Sequence, residues 1–131
     1  MVCEALKSSL ILSIFGYGAP KSDVDAVRLL KRAWRNVGTR LLEQVEIIDI
    51  RPENEIVETW SEFIHTHHYD VLNNFHDSFL AKHPRRSIEA FQNQYLDAKF
   101  IQDNPAPLDV DLTGLHSWYV GLVKAERTNN V

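Results

Sequence analysis

The sequence has a single cysteine, Cys3, in 131 residues. One thiol excludes an internal disulfide and a cysteine-built zinc cluster, and such a chain suits a reducing compartment. A basic surplus is also missing. Lys and Arg number 14 against 18 Asp and Glu, a formal net charge of −4, which argues against generic nucleic-acid binding because phosphate recognition brings excess positive charge. No run approaches the roughly 20 apolar residues of a membrane span. The apolar stretch after Lys7 is too short for a secretory leader, lies near Glu4 and has no small-residue cleavage pattern. Repeats and low-complexity tracts are absent. These absences imply a soluble, cytoplasmic protein that binds neither nucleic acid nor membrane.

What is present is a globular composition, 44% hydrophobic and 24% charged, of a length that fits one domain. Residues 1–9 are mixed and give either a helical turn or a frayed end. The run Leu10-Ile11-Leu12-Ser13-Ile14-Phe15 is almost unbroken apolar sequence and predicts a strand buried on both faces, as in parallel sheets. It stops at Gly16-Tyr17-Gly18-Ala19-Pro20. Ser22 and Asp25 then fit a capping box for a helix from about Asp23 to Asn36, whose stripe is Val24, Val27, Leu30 and Trp34. Val45 to Ile50 is a second strand, closed by Arg51-Pro52. Strand, helix and strand with this long connection make a parallel βαβ unit, with ligands expected beyond the carboxyl ends of the strands.

Downstream, Pro52 starts a helix through about residue 64 with Ile56, Val57, Trp60, Phe63 and Ile64 on one side. Tyr69 to Leu72 reads as a short strand or as a turn. Asn74 to Ala81 is a short helix with Phe75, Phe79 and Leu80 inward. Ser87 caps a helix from Ile88 to about Phe100 that buries Phe91, Tyr95, Leu96 and Phe100. A proline loop over 103–107 precedes a last helix, Leu115 to about Glu126, packing Leu115, Trp118, Leu122 and Val123. The expected fold class is therefore α/β, a parallel Rossmann-like βαβ unit followed by a mainly helical C-terminal region. Residues 1–51 form a half domain of nucleotide-binding type, and 52–131 a helical extension packed with it as one domain. Two strands leave sheet edges open, so either a third strand lies near His67 to Leu72 or strands come from another chain or an N-terminal half.

Candidate chemistry centres on Gly16, Tyr17, Gly18 and Asp49. Glycines after a strand let backbone amides approach a phosphate or ribose, and the helix from Asp23 adds its positive end. Lys21 stands where a third fingerprint glycine would be, and a ligand-free strand-to-helix turn uses the same residues. Asp49, at the end of the second strand, can accept hydrogen bonds from ribose hydroxyls or simply terminate the strand before Arg51-Pro52. His65, His67 and His68 offer imidazoles for a metal-dependent hydrolase or, without a matching motif, hydrogen-bonded loop histidines. Arg85 and Arg86 precede a helix and would bind an anion or pair with acidic side chains of the same chain. Cys3 has no evident base and is no nucleophile. No catalytic residue and no metal ligand is assigned.

The stretch Ile14-Phe15-Gly16-Tyr17-Gly18-Ala19-Pro20-Lys21-Ser22-Asp23, an amphipathic helix, and then Glu46-Ile47-Ile48-Asp49 resembles the C-terminal half of sirtuin-like NAD-binding domains. The likeness covers roughly residues 10–51. It implies that NAD is the cofactor, that Gly16 and Gly18 line its adenosine side and that Asp49 meets the ribose. The family's first glycine-rich loop, its Asn-Asp pair and its catalytic histidine have no counterpart before Leu10, and the paired CxxC zinc ribbon is absent, as in many prokaryotic sirtuin-like proteins. The resemblance thus implies the C-terminal portion of a domain, not catalytic by itself, that works with an N-terminal half or as a homo-oligomer. A different class of function is a non-enzymatic interaction module pairing through its open sheet edges, with the aromatic helices 53–64 and 88–100 as a partner surface.

Overall fold

The computed structural model describes residues 2–18, 22–34, 43–64 and 68–128. The chain divides into two compact units, Met1–Ser78 and Phe79–Val131. The first unit runs α1 (Val2–Ser8), β1 (Ile11–Phe15), α2 (Val24–Trp34), β2 (Gln44–Ile48), α3 (Glu53–Ile64), β3 (His68–Leu72) and a 3-10 turn, Phe75–Asp77. It takes in a second crossover, α3 and β3, beyond the βαβ unit ending near residue 51. The three strands are parallel in the order β1-β2-β3.

The open question at Tyr69 to Leu72 is resolved as a strand: β3 pairs with β2 from Gln44 opposite His68 to Ile48 opposite Leu72. β2 is consequently central, and Val45, Glu46, Ile47 and Ile48 are all buried. Strand β1, expected to be buried on both faces, is an edge strand instead, half-buried and ending in Phe15 at 69% exposure. An apolar run fits a central or an edge position equally well, so the run alone did not distinguish them.

One sheet face, Leu12, Ile14, Val45, Ile47 and Val71, meets the helices. Its core gathers Leu6 of α1, Ala33 with Val27 and Leu30 of α2, and Ile56, Trp60, Phe63 and Ile64 of α3. Both crossover helices lie on this face, as two right-handed connections in strand order require. Each fully buried apolar side chain contributes about 2 kcal/mol from burial, so α3, with four of them, anchors the layer. The opposite face is more polar. Ser13 Oγ donates to Glu46 Oε2 at 2.9 Å, and Gln44 Nε2 donates to Asp70 Oδ2 at 2.6 Å.

The second unit contains α4 (Phe79–Lys82), α5 (Ser87–Phe91) continued by a π-helical turn (Gln92–Leu96), and α6 (Leu112–Thr128). The helix expected to reach Phe100 stops at Asp97, and Tyr95, Leu96 and Phe100 are exposed at 56%, 58% and 91%. Tyr95 nonetheless keeps the i+4 contact that Phe91 begins, its ring 4.8 Å from that of Phe91 and 6.0 Å from that of Phe79, and the π-helical turn ends the helix before Phe100. Leu80, expected inward, is likewise exposed, whereas Phe79 and Phe91 are buried in edge-to-face contact with centroids 5.6 Å apart. Helix α6 begins earlier than expected because Asp111 caps it: Gly114 N donates to its Oδ1 at 2.8 Å. Among the described residues, no helix is long and apolar enough to cross a membrane.

Candidate functional site

The carboxyl ends of β1 and β2 are stitched together by the backbone. Gly16 has φ +65°, a left-handed conformation that favours glycine, and its N–H donates to Ile48 O at 3.1 Å. Asp49 N donates to Leu72 O at 3.0 Å, tying the same end of β2 to β3. Gly18 follows without a positive φ, yet a Cβ there would lie 3.3 Å from Arg51 Nη2. A side chain at 18 would make the Arg51 guanidinium give way by a few tenths of an ångström, whereas glycine at 16 suits the left-handed backbone.

Tyr17 turns the other way. Its hydroxyl donates to Asp23 Oδ2 at 2.9 Å, and its ring meets the edge of Trp60 at 6.1 Å between centroids. Burial, and then the Asp23 carboxylate, push the Tyr17 hydroxyl above its ordinary pKa, so it stays protonated. Asp23 also caps α2, with Oδ1 accepting from Ala26 N at 3.4 Å and its carbonyl from Val27 N at 3.1 Å. The cap expected at Ser22 therefore belongs to Asp23, one residue later, and Ser22 is exposed. Both residue types make good N-caps, but only Asp23 is also placed to receive the Tyr17 hydroxyl.

Asp49 is half-buried and turned toward its own loop. Its Oδ2 accepts from Arg51 Nε at 3.0 Å and from Nη2 at 2.7 Å, while Oδ1 accepts from the Arg51 amide at 3.0 Å. The Arg51 side chain and then its amide hold the Asp49 carboxyl below the usual carboxylate range. In return, Asp49 keeps Arg51 charged. A carboxylate has about four acceptor positions, and this loop consumes most of those of Asp49. Arg51, the less buried partner with 33% of its side chain exposed against 11% for Asp49, is the group presented outward.

These residues border one open cleft of about 1140 Å³ between α2 and α3. Gly16, Gly18, Asp49 and Arg51 form one end. Val24, Val27, Arg28 and Lys31 of α2 form one wall, and Glu55, Glu58, Thr59 and Glu62 of α3 the other. Lys31 is paired with Glu62 across the cleft, and Arg28 lies 3.9 Å from Asp25. Such exposed pairs add little stability. Of the four residues singled out in sequence, the cleft brings together Gly16, Gly18 and Asp49, and Tyr17 serves the core. Arg51 was read only as the end of a strand; its signal was the Asp-x-Arg spacing, which lets a strand-end carboxylate fold a guanidinium back onto itself.

Of the histidine cluster, His65 and His67 lie outside the described residues, and His68 is exposed on β3. No group of three or more His, Cys, Asp or Glu among the described residues is arranged to hold a metal ion. The Cys3 side chain is also outside those described. In the second unit, Arg86 adopts φ 54° and pairs with Glu89, and the Arg85 guanidinium lies 5.5 Å from the centre of the Tyr119 ring. Both arginines thus engage groups of their own unit. Comparison with protein-family models, with curated proteins and with solved structures found no match to this chain.

Proposed function

We propose that the cleft at the carboxyl ends of β1 and β2 is the adenosine-side portion of a nucleotide site, and that the chain acts as the C-terminal part of a sirtuin-like, NAD-binding domain without catalysis of its own. The observation that carries this reading is the convergence of Gly16, Gly18 and the Asp49–Arg51 pair on one cleft at the carboxyl ends of two parallel strands, the end of an open α/β sheet at which ligands bind. Isothermal titration with NAD and with ADP-ribose tests it. Binding weakened by Gly18→Val and Asp49→Asn supports the site; binding indifferent to both substitutions refutes it.

A second reading, the interaction module, is favoured by β1. No strand lies beyond it among the described residues, its Ile11–Phe15 segment contains neither proline nor lysine, and Phe15 is exposed. Edges of this kind accept a further strand. Light scattering on eluted protein distinguishes the readings, since a monomer at every concentration counts against edge pairing.

A further inference from the structure

We propose that α6 is the contact surface for a second copy of this chain, paired with it antiparallel across a two-fold axis. The inference uses the second unit alone and goes beyond both readings above. Helix α6 and the segment before it carry six large apolar side chains, Leu108, Val110, Leu112, Leu115, Tyr119 and Val120, each left 38% to 84% exposed. Single exposed leucines mean little, but a contiguous apolar patch marks a binding surface. Along the helix Leu112, His116, Tyr119 and Val123 fall in one row, spaced four, three and four residues apart, with Leu115 and Val120 on its flanks. That is the spacing of a coiled-coil seam. Trp118, Leu122 and Ala125 lie on the other side of α6: Leu122 and Ala125 border a small cavity with Ala90 and Ile101, and the Trp118 Nε1 is buried. The packed side and the seam are therefore different faces.

Charge identifies the occupant. Asp109 and Asp111 stand at the start of α6, and Lys124 and Arg127 near its end. A parallel copy would set like charges side by side, whereas an antiparallel copy sets each acidic end against a basic one and opposes the two helix dipoles. One register meets every demand. Leu112 faces Val123 of the second copy, Leu115 faces its Val120, His116 its Tyr119 and Asp111 its Lys124, with Asp109 beside its Arg127. Each of these contacts recurs with the copies exchanged, as a two-fold interface requires. His116 is the polar member of the seam, the kind of residue that fixes register in paired helices. Arg85 backs the Tyr119 ring at 5.5 Å from its centre and leaves 46% of the residue exposed. A specific interface needs about 1,000 Å² in total, about 500 Å² from each copy, and six large apolar side chains at this exposure supply an area of that order.

Sedimentation velocity of the full chain over a range of concentrations tests the proposal, and a reversible dimer is expected. Leu112→Glu, at the most exposed position of the stripe, should weaken association about a hundredfold, tenfold for each of the two symmetry-related contacts. Arg127→Glu should weaken it about tenfold, and adding Asp109→Arg should restore it to within about threefold of wild type. Circular dichroism of each variant establishes that it is folded. Oxidative cross-linking on a Cys3→Ser background reads the orientation. Leu112→Cys mixed with Val123→Cys should link one variant to the other, whereas Leu112→Cys alone should not link to itself, its two copies lying about 16 Å apart along the pair. A monomer at every concentration overturns the proposal. So does a dimer that survives Leu112→Glu and is dissolved by Ser13→Pro, which assigns the pairing to β1, and so does self-linking of Leu112→Cys, which makes the helices parallel.

Discussion

Trp60 offers a test in which two opposing terms are of similar size. The indole is fully buried, with its ring edge-on to Tyr17 and to Phe63, yet among the described residues its Nε1 has no hydrogen-bond partner. Trp60→Phe empties about 40 Å³, which costs about 1 kcal/mol as a cavity, and loses about 1 kcal/mol of apolar transfer. Against this, a buried N–H without an acceptor carries a penalty of about 1–3 kcal/mol, and phenylalanine removes it. The net change should lie within about 1 kcal/mol of zero. Trp60→Ala, which loses both the ring contacts and the volume, should cost about 3–5 kcal/mol. Urea unfolding followed by circular dichroism measures both, and an unchanged slope shows that the unfolded state is not the source of the difference. A Trp60→Phe loss equal to that of Trp60→Ala would refute the reasoning, because it would require Nε1 to have an acceptor.

Gly16→Ala should lower stability by about 1 kcal/mol through its left-handed backbone alone, since nothing lies within 4 Å of a Cβ there; a neutral result in the same unfolding assay would remove the strain argument. Asp49 is held below the ordinary carboxylate range by Arg51, so its contribution is present above about pH 4 and is lost as pH falls through the folded value. The stability gap between wild type and Asp49→Asn should therefore narrow in acid, and a gap independent of pH would contradict it. Burial lowers the pKa of the His83 imidazole, opposed by Asp103 at 3.4 Å and assisted by Lys82. The unfolded state then takes up the proton first, so stability should fall on acidification below about pH 6.5 and level off below the folded value. His83→Gln should flatten that slope in pH-dependent melting curves.

Much of the first unit was legible because its signals were redundant. β2 combines an apolar run with a closing Arg-Pro, and α3 combines Pro52 with a stripe of Ile56, Trp60, Phe63 and Ile64 that is buried as spaced. β3 was undecidable because His68, Tyr69 and Asp70 stand exposed on an edge, so burial leaves only a weak pattern in the sequence. The π-turn after Phe91 left no pattern at all: widening the helix by one residue is a backbone event, and while the Tyr95 ring still lies 4.8 Å from that of Phe91, Leu96 and Phe100 are exposed. At the cleft, the glycines were visible by type and Asp49 by position. The role of Arg51 was not, since a residue two places from its partner resembles ordinary loop sequence until the side chain is seen to fold back.

The two functional readings share one geometric requirement. In open parallel sheets, nucleotides bind where the strand order reverses, and β1-β2-β3 runs in one direction with both crossover helices on one face. Among the described residues the outer edge of β1 carries no strand, so a reversal beside Gly16 needs a strand joined there. If a second copy supplies that strand, ligand binding and self-association act on the same structure, and linkage makes them reciprocal: a ligand that prefers the paired form tenfold strengthens pairing tenfold, about 1.4 kcal/mol. Sedimentation at fixed protein concentration, with and without saturating nucleotide, measures this directly. Association strengthened by ligand, and lost together with ligand response when Ile11 to Phe15 carries an edge-blocking Ser13→Pro, is the expected result. Ligand binding at full strength to a chain that remains monomeric would show that the cleft between α2 and α3 is sufficient, and would separate the edge from the site.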